Sequence, residues 1–146
     1  MKPSICFKNI WFDDDMVELS IIADDGNSKF ENKVYVGYQQ LKDTSQSLNT
    51  FKRQVYGGIL NLEFGAFGPE YASGAFCARL HFQERGKIYI SVKMQSKFFD
   101  FGKKNIASEA SLYLISEPAL LDNFINEFNL LKDIGNSAVL ECVEIN

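Results

Sequence analysis

The feature that most constrains the fold is a pair of alternating segments between Gly74 and Ser96. Apolar and more polar residues alternate on both sides of the tripeptide Glu84-Arg85-Gly86. A period of two on each side of a glycine turn predicts a half-buried antiparallel hairpin. With Gly86 in the left-handed position of a three-residue loop, the apolar residues meet in four pairs on one face. The predicted pairs are Phe82 with Ile88, Leu80 with Ile90, Ala78 with Val92, and Phe76 with Met94.

Size and composition predict a single domain over residues 1–146. The chain is 46% hydrophobic and 23% charged, which is enough apolar material for a sizeable core. No apolar run in the sequence reaches the ~20 residues that cross a bilayer, so we expect no membrane partner. Lys8 and Asp13–Asp15 interrupt the first apolar patch, so we expect no signal peptide. Three scattered cysteines indicate reduced thiols in a cytoplasmic protein rather than a disulfide framework or a zinc site.

Periodicity along the rest of the chain predicts the order βββ-α-ββββ-α-β. The predicted strands outside the hairpin are 5–12, 16–23, 30–38, 59–64, 110–115 and 138–145. A first amphipathic helix is expected from Gln39 to Val55, and glycine-rich and basic loops are expected at 65–74 and 97–105. The second helix follows Ser116, which is a candidate cap. Its predicted buried stripe is Leu120, Leu121, Phe124, Ile125, Phe128 and Leu131.

This order of elements is typical of an α+β fold. We expect one largely antiparallel, curved sheet with both helices packed on it. The alternative is a β-sandwich in which the helices are peripheral connections.

Charge is segregated along a chain whose net charge is only −4. Between residues 13 and 31, seven acids stand against a single lysine, and five of the seven are the aspartates Asp13, Asp14, Asp15, Asp24 and Asp25. These aspartates are either solvated strand ends or a contact surface for a basic protein, since acidic patches steer basic partners. They lack the ligand spacing of a calcium loop, and we predict no metal. An acidic chain argues against nucleic acid as the main ligand, even though the loop at 97–105 interleaves lysines with phenylalanines.

The polar face of the hairpin carries the only histidine in the chain. The predicted register places His81 opposite Tyr89, Arg79 opposite Ser91, and Cys77 opposite Lys93. We also expect Glu109 to come alongside on the neighbouring strand, and imidazole, phenol and carboxylate together can do acid–base work. Such cross-strand pairs also finish ordinary solvated sheet faces. We favour the second interpretation, because no second histidine or spaced acid pair supports catalysis.

The segment Leu112-Tyr113-Leu114-Ile115-Ser116-Glu117-Pro118-Ala119-Leu120-Leu121-Asp122-Asn123-Phe124-Ile125 follows the alternating hairpin with its glycine turn. This pattern, over roughly the last half of the chain, resembles the small immunity proteins of the WapI type. Those proteins neutralise polymorphic toxins, including contact-dependent growth inhibition toxins, inside the producing bacterium. The resemblance implies a cytoplasmic, non-catalytic protein that binds a cognate toxin domain. It carries over no contact residues, because cognate pairs diverge at their interface.

The resemblance and the charge pattern together predict an immunity protein that uses no cofactor. Many nuclease toxins are basic, so we expect a basic toxin domain as the partner and the five aspartates as much of the contact surface. One alternative is a small-molecule or peptide-binding module with a pocket between sheet and helix. The other is an enzyme that uses His81, Tyr89 and Glu109.

Overall fold

The computed structural model describes residues 2–68 and 73–145, which form ten strands and two helices. In chain order the elements are β1 (Ser4–Phe12), β2 (Met16–Asp24), β3 (Lys29–Gly37), α1 (Tyr38–Phe51), β4 (Ile59–Gly65), β5 (Ala75–Glu84), β6 (Lys87–Gln95), β7 (Phe99–Phe101), β8 (Lys104–Ile106), β9 (Glu109–Ser116), α2 (Pro118–Phe128) and β10 (Ser137–Glu141). The middle of the predicted glycine-rich loop, residues 69–72, lies outside the described residues.

The eight longer strands form two antiparallel sheets. The first has the order β10-β1-β2-β3 and the second the order β4-β5-β6-β9. The segment after β10 joins them, because the Cys142 N–H donates to the Pro3 carbonyl at 3.0 Å and the Val143 N–H donates to the Ile115 carbonyl at 2.8 Å. The strands therefore make an open, curved antiparallel sheet, and the predicted α+β class is confirmed.

Both helices contribute to one core that the two sheets share. Phe7 of β1 packs edge-to-face on Phe76 of β5, with ring centroids 5.3 Å apart, and it also contacts Phe124 of α2 at 5.6 Å. The ring centroid of Phe51, in α1, lies 4.9 Å from that of Phe82. Each fully buried phenylalanine stabilises the fold by about 1.5–3 kcal/mol relative to an exposed one. The helices are thus integral to the core, and the alternative with peripheral helices was wrong. Neither described helix has the length and apolar character that crossing a membrane requires.

The hairpin of β5 and β6 follows the predicted register over most of its length. Phe76 pairs with Met94, Ala78 with Val92, and Leu80 with Ile90, as expected. Near the turn the register shifts, because Phe82 and Gln83 together oppose Ile88. This bulge leaves a two-residue turn in place of the predicted three-residue loop, with Gly86 at φ +80°. The predicted one-to-one pair of Phe82 with Ile88 is therefore replaced by the bulge.

The ends of the two helices differ from the prediction for local reasons. After Phe51 the backbone tightens, since the N–H groups of Arg53 and Gln54 bond three residues back, so α1 ends before Val55. Val55 still packs against the core, which explains why the helical periodicity continued. Ser116 does not cap α2. Its hydroxyl instead donates to the Glu141 carbonyl at 2.7 Å, which ties β9 to β10.

The predicted basic loop at 97–105 contains a short hairpin, in which β7 pairs with β8. Gly102 lies between the two strands at φ +63° and allows the tight turn. Phe99 and Phe101 are both exposed on this hairpin.

Candidate protein-binding surface

The loop between β1 and β2 consists of Asp13, Asp14 and Asp15, all of them exposed. The Asp13 carboxylate accepts hydrogen bonds from the N–H groups of Asp15 at 2.8 Å and Met16 at 2.9 Å, so it shapes the loop. Tyr38, the first residue of α1, donates from its hydroxyl to the Asp13 carbonyl at 2.9 Å. The Asp14 and Asp15 side chains bond to none of the described residues, so these two carboxylates are free to meet a partner.

A bulge in β1 brings aromatic side chains beside this loop. Asn9 pairs with Leu19 and Trp11 pairs with Glu18, which leaves Ile10 as an extra residue. Simple alternation from buried Phe7 and Asn9 would point Trp11 inward. The extra residue reverses its direction and places Trp11 on the outer face of the sheet.

Trp11, Glu18 and Tyr35 form a row across β1, β2 and β3. The rings of Trp11 and Tyr35 meet edge to face, with centroids 6.1 Å apart. The charge of Glu18 beside Tyr35, together with desolvation and a hydrogen bond, raises the pKa of the Tyr35 phenol. The row therefore presents a carboxylate between two exposed aromatic side chains.

We call the combined region the acidic-aromatic surface. Its members lie at one end of the first sheet and are exposed apart from the half-buried Glu18; they are Trp11, Asp14, Asp15, Glu18 and Tyr35. Exposed aromatics next to unpaired carboxylates suit the cationic and apolar side chains of a protein partner.

The second group of predicted aspartates lies elsewhere. Asp24 ends β2 and is buried, and its carboxylate accepts a hydrogen bond from the Gly26 N–H at 2.8 Å. Asp25 accepts from the N–H groups of Ser28 at 2.7 Å and Asn27 at 2.8 Å. These backbone hydrogen bonds lower the pKa of the Asp25 carboxyl. Both carboxylates serve the turn between β2 and β3.

The structure does not bring the two groups of aspartates together. Asp13–Asp15 precede Met16 and Asp24-Asp25 follow the opposite end of the same strand. At the usual rise per residue, β2 separates its ends by about 26 Å. The five carboxylates therefore do not form one continuous patch, and only the first group lies beside the exposed aromatics.

The polar face of the hairpin has the three expected cross-strand pairs. His81 pairs with Tyr89, Arg79 with Ser91, and Cys77 with Lys93. The Tyr89 hydroxyl donates to the Glu84 carboxylate, and this hydrogen bond is the main cause that raises the pKa of the Tyr89 phenol.

Glu109 does not join this pair, and its expected place was wrong. It pairs with Gln95 at the far end of β6 and accepts a hydrogen bond from the Gln95 amide at 2.8 Å. Six residues along β6 separate Gln95 from Tyr89, a distance of about 20 Å. The structure therefore does not assemble imidazole, phenol and this carboxylate at one point.

The three cysteines are free thiols. Cys142 is buried, and desolvation raises its pKa to about 12. Cys6 and Cys77 are half-buried, and burial is again the main cause that raises their pKa values. All three therefore stay protonated at neutral pH. Over residues 2–68 and 73–145, no group of three or more His, Cys, Asp or Glu side chains is arranged to hold a metal ion.

Comparisons of the chain with protein-family models, with curated proteins and with solved structures find no match. The resemblance to WapI-type immunity proteins therefore remains a prediction from the sequence pattern.

Sequence reasoning found the three loop aspartates but missed the aromatic half of the surface. A signal for Tyr35 was present, because strand alternation places it on the side of Lys33, away from Val34 and Val36. Trp11 gave no such signal, since its outward direction depends on the bulge at Ile10.

Proposed function

We propose that this chain is an immunity protein, which binds and neutralises a cognate bacterial toxin domain in the cytoplasm by protein–protein contact. The observation that carries the proposal is the acidic-aromatic surface, where unpaired Asp14 and Asp15 lie at the same end of the first sheet as exposed Trp11 and Tyr35. The sequence resemblance over the last half of the chain supports the same conclusion.

The chemistry of this surface suits a basic partner. Tryptophan and tyrosine are enriched among the residues that dominate binding energy at protein interfaces. Their faces also attract arginine and lysine, by roughly 0.5–2 kcal/mol per contact. Glu18, which lies between Trp11 and Tyr35, would pair with such a cation. Asp14 and Asp15 would accelerate the approach of a basic toxin through long-range attraction.

The function is tested by coexpression with its toxin. If the gene immediately upstream encodes a toxic domain, that domain is the candidate partner, and we expect its coexpression with this chain to restore growth. We also expect the two purified proteins to form a stoichiometric complex. Growth arrest despite abundant, folded protein, with no complex in solution, would reject the proposal.

The contact surface is tested separately by charge reversal. The double variant Asp14→Lys/Asp15→Lys should slow association about tenfold or more at low ionic strength, and it should flatten the salt dependence of the rate. Asp13 is left unchanged because its carboxylate shapes the loop. The matched control is Asp122→Lys/Glu144→Lys, which makes the same charge change at exposed positions elsewhere. Equal association rates for the two double variants would remove this surface from the interface, even if the complex itself forms.

A further inference from the structure

A concave groove of about 450 Å³ lies between α1 and α2, and one of its lining residues is Tyr38, whose hydroxyl donates to the Asp13 carbonyl. Leu41 on α1 and Phe128 at the end of α2 contribute apolar side chains to its lining, and both are largely buried. Ser45 lies one helical turn after Leu41 and therefore faces the same groove. Grooves of this volume and character are typical of sites for small organic molecules.

The polar side chains of the groove are cationic or neutral. Lys42 of α1 and Lys132, beyond α2, line it from the two helical segments, and Ser45 and Asn129 add a hydroxyl and an amide. The two ion pairs among the described residues use Lys2 and Lys87. The ammonium groups of Lys42 and Lys132 are therefore free to bind an anion.

We propose that this groove binds a small amphiphilic carboxylate, a molecule with an apolar body and an anionic head. The apolar body would lie along the groove against the half-buried Tyr38 and beside Leu41 and Phe128, where part of it is removed from water. The carboxylate would be held by Lys42 and Lys132, through hydrogen bonds that charge on both partners strengthens. None of the lining residues belongs to the acidic-aromatic surface, and Tyr38 connects the groove to the Asp13–Asp15 loop through its hydrogen bond to the Asp13 carbonyl.

Calorimetric titration with decanoate, below its micelle concentration, tests the proposal. We expect saturable binding of one decanoate per chain. Decanol has the same apolar chain without the charge, and it should bind at least about tenfold more weakly, since a hydrogen bond to a charged group contributes roughly 1.5–3 kcal/mol. The backbone amide resonances of Ser45 and Asn129 should shift on titration of the unsubstituted protein.

The double variant Lys42→Glu/Lys132→Glu should weaken decanoate binding at least about tenfold. Its matched control is Lys103→Glu/Lys104→Glu, which makes the same charge change on the exposed β7–β8 hairpin and should leave binding unchanged. The proposal would be overturned if decanoate showed no saturable binding or if decanol bound with equal affinity. It would also be overturned if both double variants lost decanoate affinity equally. Amide shifts confined to another part of the chain would overturn it as well.

Discussion

Asn9 holds the bulge that directs Trp11 outward, and its replacement by alanine is the sharpest test of the structure. The side chain is fully buried. Its amide nitrogen donates to the carbonyls of Leu131 at 3.0 Å and Lys132 at 3.2 Å, and its amide oxygen accepts from the Trp11 N–H at 3.2 Å. One side chain therefore connects the bulge of β1 to the turn after α2.

The cost of Asn9→Ala follows from these bonds. Each hydrogen bond contributes about 1 kcal/mol net, and an acceptor left buried without a partner costs about 1–3 kcal/mol. We expect the variant to lose about 3 kcal/mol of unfolding free energy. For a chain of this size the loss lowers the melting temperature by about 6–12 °C.

The matched control is Asn136→Ala. Asn136 donates to the Leu130 carbonyl at 2.9 Å in the same turn, but it is exposed, so water replaces the lost bond. We expect a loss below about 1 kcal/mol. Urea titrations with equal slopes would show that both changes act on stability. Trp11 is the only tryptophan, so native-state fluorescence reports directly on the bulge and should change in Asn9→Ala alone. A difference below about 1 kcal/mol between the two variants would refute the role of Asn9.

Two further predictions concern a glycine and a turn. Gly74 has φ +129°, and a Cβ there would lie 2.3 Å from the Lys33 carbonyl oxygen, so Gly74→Ala should cost about 3 kcal/mol or more in urea unfolding. Gly57→Ala should cost only about 1–2 kcal/mol, because φ is also positive but no atom lies within 4 Å; equal losses would contradict the close approach at Gly74. Asp25 has a lowered pKa in the folded state, so its charge adds stability above its unfolded pKa, and this stability is lost as pH falls through the folded value. Asp25→Asn should therefore be less stable than the wild type at pH 7, and the difference should vanish in acid, below the folded pKa of Asp25. A pH-independent difference would refute the linkage.

The elements that sequence predicted well are those in which local pattern and burial agree. Alternation from Phe76 to Leu80 placed the hairpin in its observed register, because one face of both strands is buried in the core. The bulges at Ile10 and Phe82 could not be foreseen, since a period of two contains no signal for an inserted residue. Ser116 shows a second reason why prediction from sequence fails. Its local sequence suits a helix cap, but its hydroxyl donates to the carbonyl of Glu141, which is distant in sequence.

The separation of the two groups of aspartates could have been predicted from the predicted strands. A strand from 16 to 23 holds its two ends far apart, so Asp13–Asp15 and Asp24-Asp25 had to lie at opposite ends of the sheet. The position of Glu109 follows from similar reasoning. An antiparallel strand that follows β6 begins beside its end, near Gln95, rather than beside Tyr89.

The segment that links the two sheets also sets an order for folding during synthesis. Residues 4–8 pair with residues 137–141, so one edge of β1 has no strand beside it until residues 137–141 leave the ribosome. Contacts between residues so far apart in sequence form slowly. In the nascent chain this unpaired edge of β1 is a site where another strand can add, and it becomes protected only when β10 pairs with it.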